Sequence, residues 1–338
     1  ILLSILGAIF IPAIASMLGA KGQLLSNCIL YARLSFISMP AFMLQNVFQS
    51  FFVTAEKPHL GLYVVIAAGV TNMVLDFLFV GILGFGLAGA ALATVCGEFI
   101  GGLFPIFYFT RKNSSLLRLG KTHWNGHVLL QTCINGSSEL MTNLSSSIMN
   151  SLYNIQLMKF AGENGVAAYG TMMYINFIFL AIFFGYSIGS APVISYHYGA
   201  GNQDELKNLF RKSLRLIGTW GIMLALLSQL LAAPLSKLFV GYDAELFAMT
   251  EHGFRIYCLA YLINGFNIFG SSFFTALNNG VISAVISFLR TLVFQIIMIL
   301  LLPTLLGING IWSAVGIAEL MTLCVTITCL LYTSDAAD

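Results

Sequence analysis

Apolar runs of roughly 20 residues, the length that crosses a hydrocarbon layer, recur along this chain and leave few stretches able to form a wetted surface. Charged side chains make up 8% of the 338 residues and hydrophobic ones 58%. An ordinary soluble domain carries about 25% charged residues. The solvent is therefore lipid, and the chain reads as an all-α membrane protein. A net charge of +2 gives no polyanion-binding surface, so no nucleic-acid partner is expected. The six cysteines form no CxxC pair and lie in apolar stretches, where a thiol behaves as a small hydrophobe; neither a disulfide nor a metal site is read from them.

Division at polar or Gly/Pro breaks predicts ten spans, at about 1–18, 25–55, 60–83, 86–109, 128–160, 166–196, 208–240, 246–277, 281–305 and 310–331. Pro40 and Pro192 fall inside spans and are the expected kinks. With alternating direction, the loops 110–127 and 197–215 share a side and gather Arg111, Lys112, Arg118, Lys121, Lys207, Arg211, Lys212 and Arg215, joined by Lys57. Only Lys21, Lys159 and Lys237 face the other side, so the basic loops are expected in the cytoplasm of a bacterial inner membrane.

A shift of 221–222 residues superposes the two halves. Pro12 and Gly19 meet Pro234 and Gly241, Arg33 meets Arg255, and Ser50-Phe51-Phe52 meets Ser272-Phe273-Phe274. One residue less brings Gly86, Gly89 and Glu98 onto Gly307, Gly310 and Glu319. A repeat of that length holds about six helices, an even number, so the copies keep one membrane orientation as a parallel repeat. The expected layout is an N-terminal lobe over 1–110, a cytoplasmic inter-lobe loop over 111–127 and a C-terminal lobe over 128–331. The first copy shows four spans against six in the second, and the chain begins at Ile1 inside an apolar run; two preceding helices are expected to be missing. Residues 329–338 resemble a translated sequencing adapter and are read as non-native.

Ionisable groups in hydrocarbon are costly and are the first candidates for function. Asn72 and Asp76, four apart, share one helix face. At 1.5 Å per residue they lie roughly 16 and 10 Å below the outer boundary, and Thr94 on the next helix roughly 12 Å below it. A carboxylate, an amide carbonyl and a hydroxyl in one layer suit a small cation or an exchangeable proton. The same spacing also serves an Asp76 that merely hydrogen-bonds to Asn72 or Thr94 within a helix interface. Glu139 reads as a mid-membrane acid for a proton or a cationic compound. Arg33, Arg255, Glu98 and Glu319 read as structural intramembrane charges, with Arg33 and Arg255 snorkelling or bonded to broken-helix carbonyls and Arg290 a counter-ion to one of the acids.

Other motifs fail on context. Residues 84–89 match GxGxxG but join two apolar spans without the later acidic residue of a dinucleotide site; these glycines are expected to let helices approach. His123 and His127 read as solvent-facing, and no Walker A, HExxH or nucleophile-elbow pattern occurs. The chain is not expected to be an enzyme.

Gln49-Ser50-Phe51-Phe52-Val53-Thr54-Ala55-Glu56-Lys57-Pro58, then Asn72-x-x-x-Asp76, then Gly86-Leu87-Ala88-Gly89-Ala90-Ala91-Leu92-Ala93-Thr94, together with Gly199-Ala200-Gly201-Asn202, resemble the multidrug and toxic compound extrusion family. This resemblance implies two six-helix lobes that exchange Na⁺ or H⁺ for organic cations by alternating access, with no cofactor beyond the coupling ion. It implies that Asp76, Asn72 and Thr94 bind the cation, that Glu139 is a functional acid, and that Asn264 stands where some members carry an aspartate, which puts a C-lobe cation site in doubt. Tyr153, Met172, Met173 and Tyr261 are candidates for cation–π and sulfur contact with flat lipophilic cations, with core packing as the alternative. Small organic cations and the bilayer are the expected partners of a monomer. The rival readings are a lipid-linked precursor or polysaccharide flippase of the same superfamily, for which Arg33, Arg255 and Arg290 would serve a diphosphate, and a channel or structural membrane protein.

Overall fold

The computed structural model describes residues 1–338 apart from 18–20, 114, 116, 121–122 and 336–338, and of Leu24 and 331–335 only the backbone. Gly19, Lys121 and the end of the adapter-like tail therefore lie outside the described residues. The chain divides into two compact units, Ile1–His123 and Trp124–Asp338.

In the first unit α1 (Leu2–Met17) packs on α2 (Gly22–Thr54), and α2 and α3 (Pro58–Asp76) both pack along α4 (Gly86–Thr110). A π-helical segment, Phe77–Ile82, prolongs α3. Small residues permit the close approach that holds membrane helices together. A Cβ on Gly102 of α4 would collide with the Ala41 backbone of α2, and one on Gly97 would lie 2.8 Å from the Ala68 carbonyl of α3. At one end of this unit Phe109 stacks on Phe48 at 5.5 Å and tilts against the fully buried Phe52 at 5.3 Å.

The second unit contains α5 (Gly126–Asn135), α6 (Ser137–Gly199), α7 (Gln203–Val240), α8 (Ala244–Tyr257), α9 (Tyr261–Ala276), α10 (Gly280–Phe288), α11 (Phe294–Leu306) and α12 (Ile308–Asp335). Helix α9 lies at its centre, against α6, α7, α10 and α12. A short 3₁₀ turn, Cys258–Ala260, joins α8 to α9, and a second π-helical segment, Leu289–Val293, joins α10 to α11. The 63-residue α6 breaks at Gly162, whose φ of 62° and ψ of −153° only glycine adopts readily, so it comprises two spans. Helices α2 and α6 run on through Pro40 and Pro192.

Among the described residues, eight stretches are long and apolar enough to cross a membrane. Dividing α6 at Gly162 and adding the shorter apolar α1 gives the ten segments the sequence predicts. Phe177, Leu230 and Leu238 are 74–76% exposed, an arrangement suited to acyl chains and unsuited to water.

The duplication is visible in the backbone. Helix α2 ends with Glu56 in the left-handed region (φ 58°), its N–H bonded to Val53 O and that of Lys57 to Phe52 O. Helix α9 ends with Asn278 at φ 57°, its N–H bonded to Thr275 O and that of Asn279 to Phe274 O. Both are Schellman caps, and glycine is absent from a position that favours it. Just beyond, Gln49 Nε2 donates to Gly61 O at 3.2 Å, and Ser271 Oγ donates to Ser283 O at 3.3 Å, each atom pair 222 positions from its counterpart. The glycines at 84–89 divide their work in a way the sequence reading missed. Gly84 (φ 68°) and Gly86 (φ 53°) shape the turn, where an added Cβ would meet nothing within 4 Å, and of the three only Gly89 allows a close approach, since an added Cβ there would lie 3.0 Å from Phe79 and Phe85 Cβ.

Candidate functional site

In the first unit α3 carries Asn72 and, one turn later, Asp76, its last α-helical residue before the π segment. A π segment admits an extra residue per turn and is found disproportionately at functional positions. Asn72 Nδ2 donates to Thr94 Oγ1 of α4 at 3.4 Å, and Thr94 Oγ1 donates to Ala90 O at 3.1 Å. This leaves the Asn72 carbonyl and a Thr94 lone pair available. Asp76 Oδ1 is shielded from solvent and has no hydrogen-bond partner among the described residues. The reading of Asp76 as a carboxylate kept satisfied by Asn72 or Thr94 therefore does not describe this geometry. An orphaned carboxylate oxygen in apolar surroundings costs several kcal/mol unless a proton or cation joins it.

Gly97 sets the α3–α4 separation here, since an added Cβ would also meet Asn72 Cβ at 3.2 Å. Gly97→Val is expected to lower stability by about 1–3 kcal/mol through overpacking and to break the Asn72–Thr94 contact. Gly69 on α3, with nothing within 4 Å, is the control: Gly69→Ala is expected to be neutral or mildly stabilising. Thermal midpoints of the purified variants measure the difference, and equal midpoints would contradict the packing argument.

Half-buried Glu98 lies one turn beyond Thr94 and makes no ion pair among the described residues. Arg33 is exposed on α2. Its counterpart Arg255 pairs with Glu251 at 2.8 Å and reaches Gln229 at 3.5 Å, so its partner is a carboxylate one turn back and not a broken-helix carbonyl.

The second unit buries a polar cluster. Arg290, within the π segment, donates through Nε to Glu319 Oε1 at 2.8 Å, with the side chains 9% and 2% exposed. Asn267 Nδ2 donates to Glu319 Oε2 at 2.7 Å and to its backbone carbonyl at 2.8 Å, and Thr326 Oγ1 donates to Asn267 Oδ1 at 3.0 Å. In the amide orientation that satisfies its neighbours, Asn264 donates to Glu319 Oε1 at 3.3 Å and to Ala260 O at 3.1 Å. A hydroxyl cluster of Ser271, Ser283, Ser287 and Thr275, with contacts of 2.7–2.9 Å, ties α9 to α10 just before Arg290. Glu139 lies exposed in the first turn of α6, beyond the Gly136 junction with α5.

Tyr153, Met172 and Tyr261 are packed inside this unit at 1%, 0% and 0% exposure, and Met173 is partly buried beside Asn176. Tyr153 stacks on Tyr169 at 5.0 Å, and Tyr261 Oη donates to Asn176 Oδ1 at 3.0 Å. Asn267, Thr326, Asn176 and Tyr169 were not singled out from sequence. The first two were accessible: Asn267 is three residues past Asn264, and Thr326 seven past Glu319, each on the same helix face.

The family model MatE matches residues 1–78 and 140–301, and the chain belongs to that family of multi-pass membrane transporters; it is not an enzyme. The multidrug export protein MepA of Staphylococcus saprophyticus is 22% identical over 321 residues, covering 94% of this chain and 68% of that protein. MepA of Staphylococcus haemolyticus is 25% identical over 314 residues, covering 92% and 68% respectively. Among solved structures, an outward-facing multidrug resistance MATE family transporter of the MOP superfamily superposes with a TM-score of 0.91 at 22% identity, covering 99% of this chain and 76% of the other. A MOP superfamily transporter from Pyrococcus furiosus, described as having a binding pocket of reversed polarity, superposes at 0.87 with 21% identity, over 96% and 74% of the two chains.

Proposed function

We propose that the protein exports small organic cations in exchange for Na⁺ or H⁺ by alternating access, with Asp76 as the coupling acid and Asn72 and Thr94 as its oxygen partners. The observation that carries this reading is the buried, unpartnered Asp76 Oδ1, one helical turn along α3 from the Asn72 amide that bonds Thr94. Coupling arises only if the ion binds one arrangement of the lobes, 1–110 and 128–331, more tightly than the other, while cargo has the opposite preference. Glu139 supplies a second acid, for a positively charged cargo or a proton. Export by MepA proteins of similar sequence supports a drug-like cargo. The charges of the loops 110–127 and 197–215 support their placement in the cytoplasm of a bacterial inner membrane.

Proteoliposomes with separately imposed Na⁺ and pH gradients test the reading. Accumulation of a fluorescent organic cation is expected under one gradient and to stop when an ionophore collapses it. Indifference to both gradients would contradict coupled export and favour a channel.

A further inference from the structure

The two repeats treat their buried acids in opposite ways. In the first unit Asp76 lacks a partner for Oδ1. In the second, both oxygens of Glu319 are engaged, one by the Arg290 guanidinium and the other by the Asn267 amide. Under the repeat shift of 222, Arg290 corresponds to Ala68 and Asp76 to Met298, so the half that carries the base lacks the orphan acid. Glu98, the counterpart of Glu319, makes no ion pair with such a base among the described residues. A guanidinium does not deprotonate in proteins, so its charge is permanent.

We propose that Arg290 is a built-in counter-cation: it fills, from within the chain, the place an exchangeable ion would take at Glu319, so this acid of the second lobe does not exchange, in contrast to Asp76 of the first. This rests on the coupling role proposed for Asp76. Of the cationic side chains on α8, which packs on α12, Arg255 is paired with Glu251 and His252 is bonded to Asn309. Helix α6 brings Glu139 within electrostatic reach of Arg290, and α8 brings the Tyr257 phenol within reach of Glu319. Tyr261 of α9 is committed to Asn176, and α10 and α11 carry no titratable side chain.

Removing the guanidinium while keeping the carboxyl should turn a closed site into an exchanging one. In Arg290→Met, Glu319 retains only amide donors, and in hydrocarbon it must acquire a proton or Na⁺. The experiment counts protons, with an indicator dye after a pH step, and radiolabelled Na⁺ bound per molecule of purified full-length protein. Arg290→Met is expected to bind one more proton or Na⁺ than the wild type, and Arg290→Met/Glu319→Gln to return to the wild-type count. An unchanged count in folded Arg290→Met would overturn the proposal. If Arg290→Met does not fold, infrared titration of the wild type against the neutral double variant decides. A titrating carboxyl band present in the wild type and missing from the double variant overturns the proposal, and identical carboxyl titrations support it. Asp76→Asn, run alongside, is expected to lower the count by one in either background. Failure of that result alone would count against the Asp76 reading and leave Arg290 untouched.

Discussion

Gradient-driven efflux is expected to be lost in Asp76→Asn, with the protein still folded and abundant. Asparagine keeps the shape of the side chain and its half-buried position between the α3 and α4 faces, but it cannot hold a net charge or an exchangeable proton. Coupling free energies of about 1–3 kcal/mol correspond to roughly 5- to 150-fold differences in affinity between states, and that whole factor should vanish from the ion dependence of transport. Stability should be unchanged or slightly higher, because the substitution removes an unsatisfied carboxylate oxygen. Ethidium retention in an efflux-deficient host measures this directly. Equal retention with the wild type and with Asp76→Asn, at equal protein level, would remove Asp76 from the mechanism.

Glu319→Ala is expected to be the most destabilising single change at the buried cluster, at about 3–5 kcal/mol, because it leaves the Arg290 guanidinium buried without its acid. Replacing both members with apolar side chains, Arg290→Met with Glu319→Ala, should cost far less, since the desolvation penalty of both ions disappears with them. The exposed Arg255–Glu251 pair should yield about 0–1 kcal/mol in the same cycle. Thermal midpoints of the four members of each cycle separate the cases. A double variant no more stable than Glu319→Ala would mean that the cluster's contribution lies in packing and not in charge compensation.

Much of the architecture was legible because hydrocarbon imposes a length on each apolar run and a single chain cannot hide a duplication. The break in α6 was expected between 160 and 166 and falls at Gly162, where a positive φ demands a residue without Cβ. The approach of Asn72 to Thr94 was legible from depth arithmetic, and their bond of 3.4 Å agrees with it. Other features were not. That Asp76 keeps one oxygen unpaired depends on the side-chain angles of its neighbours, which spacing does not set. Which acid Arg290 would choose depended on how α12 is rotated against the π segment, and helix rotation leaves only a weak trace in a sequence apolar on every side. The same uniform oiliness hid the fact that Tyr153 and Tyr261 point into the core.

The caps that close α2 and α9 are held by main-chain bonds, with Glu56 in one and Asn278 in the other. A scaffold pinned by its peptide groups tolerates drift in what it displays. The hairpin contact is made by glutamine in one half and serine in the other, and alanine in one corresponds to arginine in the other on the following helix, on the same frame. Two halves on one frame can therefore hold different chemistries, one a restless acid and the other an acid that serves as a strut.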